Sequence, residues 1–121
     1  MQYLLLIYGQ EDVWSSYGDG ERAAMYEEYG ALTRELAVQG KLISSNELQG
    51  SETATTVRVR DGEVLTTDGP FAETKETLGG YYLIDGESLD EALEWAVRIP
   101  NARDGMIEVR PVVMRQAEVA Q

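Results

Sequence analysis

Tyr3-Leu4-Leu5-Leu6-Ile7-Tyr8, close to the start of the 121-residue chain, is an unbroken apolar run. A run of this length and continuity is the mark of a strand in the middle of a sheet or covered on both faces, so it predicts a central strand. It is too short to cross a bilayer, which takes roughly 20 apolar residues in a helix. It also lacks the basic start of a secretory signal. No other apolar run in the chain is longer, and the cytoplasm is the expected compartment.

The elements follow outward from this strand. After a polar loop over residues 9–20 that carries Trp14 and Tyr17, Met25, Tyr29, Leu32 and Leu36 recur at helical spacing. The spacing predicts a helix over residues 21–39, with Gly40 as its stop. Residues 41–47 fit a short strand. Residues 53–60 and 63–67 are rich in β-formers and are joined by Asp61-Gly62, the dipeptide suited to a two-residue hairpin turn with positive φ. Val57 and Val59 would share one face of that hairpin and Arg58 and Arg60 the other, so it is half-buried at most. Residues 78–85 form another strand, opened by Gly79-Gly80. Ser88-Leu89-Asp90-Glu91 has the form of a capping box and starts a helix expected to bury Leu89, Ala92, Leu93, Ala96 and Val97, with Trp95 off that stripe and Pro100 beyond its end. Residues 107–113 are the last strand, where Pro111 lacks a ladder donor and marks a sheet edge or a bulge.

The order is β-α-β, hairpin, β-α-β. It defines an α+β fold, a ferredoxin-like split βαβ sheet with an inserted β-hairpin, in which the first strand is central and the last is an edge. Two helices cover one face of such a sheet, and a second subunit's sheet is the economical cover for the other, so a homodimer is expected. Residues 1–115 read as a single domain and 116–121, without a core pattern, as a flexible tail.

Composition narrows the function. The chain has 22 acidic and 10 basic residues, a net charge of −12, which disfavours nucleic acid and anionic membrane as partners. With no cysteine there are no disulfides, zinc-thiolate sites or thiol nucleophiles. With no histidine the commonest general base and most transition-metal sites are gone, and proton transfer falls to carboxylate, tyrosine, lysine or water. No metal site and no cofactor are called for.

The residues that stand out for chemistry are Asp68-Gly69-Pro70-Phe71-Ala72-Glu73-Thr74-Lys75-Glu76, followed by Leu78-Gly79-Gly80-Tyr81. Gly69 before Pro70 is pushed away from helical geometry, and the chain leaves the hairpin with Asp68 at a strand end. The Asp68 carboxylate has three open readings: an Asx turn holding the corner, a general acid or base, or a ligand contact. Glu73 and Lys75 stand behind it as ligand-binding candidates, with Glu76 read alongside them as a solvated first turn. Gly79-Gly80 would admit a close backbone or a ligand. Tyr81 and Tyr82 point to opposite sheet faces, so one of them lies near whatever the loop covers. Phe71, the chain's one phenylalanine, is expected to plug the core or the dimer seam, and Trp14 and Tyr17 to pack over the helix or line a pocket mouth.

That segment, together with Tyr3-Leu4-Leu5-Leu6-Ile7-Tyr8-Gly9, Ala54-Thr55-Thr56-Val57-Arg58 and Glu91-Ala92-Leu93-Glu94-Trp95-Ala96, resembles the DGPF-containing branch of the YCII-related domain family over about residues 1–113. The resemblance implies a dimeric α+β barrel with a pocket between helices and sheet or near the dimer seam. Members of the wider family often carry a histidine on the first helix paired with an aspartate. This chain has Tyr26 and Tyr29 on that helix instead, so a His-Asp mechanism does not carry over, and Asp68 is the motif residue that does. Tyr29, Tyr81 and Tyr82 join the ligand-binding candidates. The branch is also associated with extracytoplasmic-function sigma factors, which implies a regulatory link. Three functions follow: a ligand-binding or regulatory module, a cofactor-free isomerase, lyase or hydrolase using Asp68, or a purely structural DGPF corner at the dimer seam.

Overall fold

The apolar run at the N-terminus forms β1 (Gln2–Gly9), hydrogen-bonded on both sides. Its antiparallel neighbours are β5 (Thr77–Asp85) and β6 (Met106–Pro111), and β2 (Leu42–Glu47) pairs with the far side of β5. The sheet order is β2-β5-β1-β6, the ferredoxin-like arrangement. The computed structural model describes residues 1–115, and the tail expected over 116–121 lies outside the described residues. As anticipated, the first strand is central and the last is an edge, with Pro111 opposite Tyr3 in the strand that has no outer neighbour among the described residues.

Helices α1 (Glu11–Ser16), α2 (Asp19–Val38) and α3 (Leu89–Ala96) complete the domain with the hairpin β3 (Thr55–Arg60) and β4 (Glu63–Asp68). Alternation along β1 and β5 sends Tyr3, Leu5, Ile7, Tyr82 and Ile84 toward the helices, where they pack with Leu32, Leu36, Ala92, Trp95 and Ile99. Each fully buried aliphatic side chain of this kind contributes roughly 1.5–3 kcal/mol. α2 ends in a Schellman motif, with the Lys41 amide bonded to the Leu36 carbonyl at 2.8 Å and Gly40 to Ala37 at 3.0 Å. Gly40 takes the left-handed φ of 71° that this stop requires.

Three expectations need correction. α3 is turned about its axis: Ala92, Trp95 and Ala96 are buried while Leu89, Leu93 and Val97 are exposed. The large Trp95 ring offers the most apolar area on the helix and takes the inward position, its Nε1 donating to Glu91 Oε2 at 3.2 Å. The capping box is half-formed. Ser88 accepts from the Glu91 amide at 3.1 Å, but Glu91 Oε1 reaches the Glu87 amide rather than that of Ser88. The stretch read as a polar loop contains α1, which has no buried residue and so no apolar stripe to betray it. Phe71, expected to plug the core or the dimer seam, lies outside the core, 83% exposed on this chain, so the seam is the reading left to it.

The hairpin stands as its own two-stranded sheet, with Val57, Val59 and Val64 all exposed. Its Asp61-Gly62 turn has φ of 52° and 79°, the paired positive values of a type I′ turn. Gly79 and Gly80 have separate physical reasons. The register between β1 and β5 slips there, Ile7 facing Gly80 and Tyr8 facing Leu78, which leaves Gly79 as the extra residue of a bulge. A Cβ on Gly80 would lie 2.8 Å from the Asn46 carbonyl oxygen of β2, so no side chain fits.

Candidate functional site

The helix-facing rows of the two central strands both end in glycine. On β1 the row runs Tyr3, Leu5, Ile7, Gly9; on β5 it runs Ile84, Tyr82, Gly80. Where the side chains stop, the sheet and the helix layer cannot fill the space between them, and a cleft of about 570 Å³ opens. That size suits a small organic molecule. Its floor includes Ile7, Gly80 and Tyr82, and α2 contributes Tyr26 and Tyr29. α1 crosses the open end with Trp14, and Tyr17 follows at its end.

The rings brace one another. Trp14 meets Tyr17 and Tyr26 edge-on, at centroid distances of 5.9 and 5.6 Å, and Tyr29 stacks on Tyr82 at 6.4 Å with 11° between planes. Polar groups tie the phenols down. Tyr26 Oη donates to Glu47 at 3.0 Å, Tyr17 to Asp104, and Tyr29 to Asn101. Asn101 Nδ2 in turn donates to Asp104 at 3.0 Å, and Thr33 and Tyr82 hydroxyls lie 2.7 Å apart. These bonds join α1, α2, β2 and the 3-10 turn at Pro100–Ala102 with its following loop into one wall.

The helix-side phenols are all pushed up from their ordinary pKa. Burial does this for Tyr29, Tyr82 and Tyr26, with the Glu47 carboxylate adding to it at Tyr26, and the hydrogen bond to Asp104 does it for Tyr17. They are neutral hydrogen-bond donors, and none is a base near neutral pH. Glu11 also lines the cleft. Its carboxylate accepts from the Ser51 hydroxyl and from the Ser51 amide at 2.7 Å, and these bonds hold its pKa below the usual carboxylate range.

Of the sequence-derived candidates, the structure brings Tyr29, Tyr81 and Tyr82 together in this lining. Tyr81 belongs to the opposite row of β5, where Asn46 Nδ2 donates to its hydroxyl at 2.9 Å and lowers its pKa. Asp68 ends β4, is exposed, and does not line the cleft. Among the described residues its carboxylate makes no hydrogen bond, so the corner is held by backbone instead. The Gly69 amide bonds the Ala54 carbonyl at 2.7 Å, Thr56 Oγ1 bonds the Gly69 carbonyl at 2.8 Å, and Gly69 has a φ of 98°. Glu73 lines a separate hollow with Gly69 and Pro70 that shares Glu11 and Thr77 with the main cleft. Lys75 is exposed and lines neither. Sequence reasoning missed Glu47, Asn101 and Asp104. The local signals for the cleft were the glycine at the end of each central strand and the Trp14 and Tyr17 rings between β1 and α2.

This architecture defines a ferredoxin-like α+β domain with an aromatic cleft between its helix layer and its sheet. The chain matches the YCII-related domain over residues 1–115 and belongs to that family. It is 41% identical over 116 residues to an uncharacterised protein of Rhizobium meliloti (strain 1021), covering 94% of each chain. Among solved structures it resembles the 5-chloro-2-hydroxyhydroquinone dehydrochlorinase from Burkholderia phenoliruptrix AC1100 in complex with 2,5-dihydroxybenzoquinone. The identity there is 14%, the TM-score 0.51, and the cover 97% of this chain and 98% of that one, which is a likeness of fold. Among the described residues no helix is long and apolar enough to cross a membrane, and no cluster of acidic side chains is placed to hold a metal ion.

Proposed function

We propose that this protein is a small-molecule-binding module of the DGPF branch of its family, with the cleft between helices and sheet as its site and two copies joined through their sheets. The observation that carries this reading is the aromatic cleft, preformed by ring contacts and closed by hydrogen bonds from four separate parts of the chain. Binding is favoured over chemistry by Asp68 because Asp68 stands outside the cleft. Asp68 and its DGPF turn then act as the corner that returns the chain from the hairpin to β5. The dehydrochlorinase of similar fold is complexed with 2,5-dihydroxybenzoquinone, and a ring compound is the kind of ligand an aromatic-lined cleft of this size suits.

The uncovered sheet face supports the dimer reading. Leu4, Leu6 and Leu83 lie there half-buried, and the helices pack on the other side. A thermal-shift screen against small metabolites tests the site, run with Trp14→Ala and Asp68→Asn beside the parent. A ligand at about 100 times its Kd adds about 2.7 kcal/mol, which for a domain of this size raises Tm by on the order of 10 °C. The expected result is a hit lost in Trp14→Ala and kept in Asp68→Asn. A hit lost only in Asp68→Asn would move the site to the DGPF turn.

A further inference from the structure

The lining of the cleft is one-sided in charge. Trp14, Tyr17, Tyr26, Tyr29 and Tyr82 supply rings, and Glu11, Glu47 and Asp104 stand among them. Among the described residues no lysine or arginine lines the cleft. The guanidinium that approaches Trp14, that of Arg22 at 5.8 Å from the ring centroid, is engaged by Asp19 and by the Trp14 and Ser15 carbonyls, and Arg22 is not part of the lining. A carboxylate, phosphate or phenolate entering this space would meet like charge, and the nearby guanidinium groups of Arg22 and Arg103 stand outside the lining and are bonded to Asp19 and Glu28. A cation would meet the negative faces of aromatic rings as well as carboxylates, the pairing by which ammonium groups are recognised. Glu47 keeps acceptor capacity, since a single hydroxyl, that of Tyr26, bonds it and a carboxylate has about four lone-pair sites. The chain's net charge of −12 adds a field that draws cations toward the cleft.

We propose that the ligand of this cleft is a small organic cation, an alkyl- or arylammonium whose charge sits beside Glu47 and the Tyr26 ring. The assignment rests on the binding reading above and specifies its ligand class. Isothermal titration calorimetry of the full chain with phenyltrimethylammonium, its uncharged isostere tert-butylbenzene, and benzenesulfonate tests it. The cation is expected to bind about tenfold more tightly than the isostere, with no binding of the sulfonate. Glu47→Gln keeps an acceptor for Tyr26 and removes the charge, so it should weaken the cation about tenfold and leave the isostere unchanged. Circular dichroism checks that variant's fold, and Asp104→Asn provides the same comparison if Glu47→Gln is unfolded. If the isostere or the sulfonate binds as tightly as the cation, and that binding is lost in Trp14→Ala, the cation assignment is overturned and the cleft still stands as a binding site. If none of the three binds the folded protein, the cation assignment is overturned, and the metabolite screen above decides separately whether the cleft binds anything.

Discussion

Glu91 joins more partners than any other carboxylate near α3. It accepts from the Glu87 amide at 2.7 Å and from Trp95 Nε1 at 3.2 Å, and it pairs with Lys41 Nζ at 3.1 Å. The amide bond first, and then Lys41, hold its pKa below the ordinary carboxylate value. A carboxylate with a depressed pKa in the folded state contributes stability above its unfolded pKa, about 4.3, and loses that contribution as pH falls through the folded value. Glu91→Gln is therefore expected to be less stable than the parent at pH 7, with the difference narrowing as pH drops below about 4.3. Urea midpoints at pH 7 and pH 3.5 measure this, and an unchanged difference would mean that Glu91 acts through shape alone.

The two ends of α2 respond oppositely to the same chemical change. Gly20 lies in the first turn with ordinary helical backbone and open space where a methyl would sit, whereas Gly40 is equally open but has a φ of 71°. Adding a methyl at Gly20 reduces the entropy lost on folding, and the same methyl at Gly40 forces a left-handed alanine. Gly20→Ala should raise stability by up to about 1 kcal/mol, and Gly40→Ala should lower it by about 1 kcal/mol. Thermal unfolding of the two variants decides this, and a Gly40→Ala variant as stable as the parent would mean the Schellman stop is dispensable. Local geometry explains the hairpin too: its turn needs two positive φ values that Asp61 and Gly62 supply, while its valines remain exposed because no helix packs on it.

For the molecule as a whole, the question is what covers the second face of the sheet. Leu4 faces Leu83 and Leu6 faces Tyr81 across β1 and β5 on that side, a continuous half-buried apolar strip. Leu6→Arg places a charge in the middle of the proposed seam without touching the helix-facing row that holds the cleft. Sedimentation velocity should find the parent as a dimer at micromolar concentration and Leu6→Arg as a folded monomer, since an unpaired charge buried at a seam costs several kcal/mol. A monomeric parent would assign the strip to another partner or to solvent.

The order of elements apart from α1, the central place of β1, the edge place of β6 and the I′ turn could all be read from the chain before it folds, because each depends on a pattern within a few residues: an apolar run, a 3.6 period, a proline, an Asp-Gly pair. Tyr82 was legible as a candidate for the same reason, through its place on a strand, and Tyr29 through the family resemblance, which points to its helix. The cleft was not. Its walls join Tyr29 to Asn101 and Tyr17 to Asp104, partners 72 and 87 residues apart, and no local pattern encodes such a pair. Tertiary packing also chose which face of α3 turns inward, since the area of Trp95 outweighed the smaller residues of the stripe. It placed Asp68, the most conspicuous residue of its motif, on an exposed corner, where a turn needs its backbone neighbours more than its carboxylate.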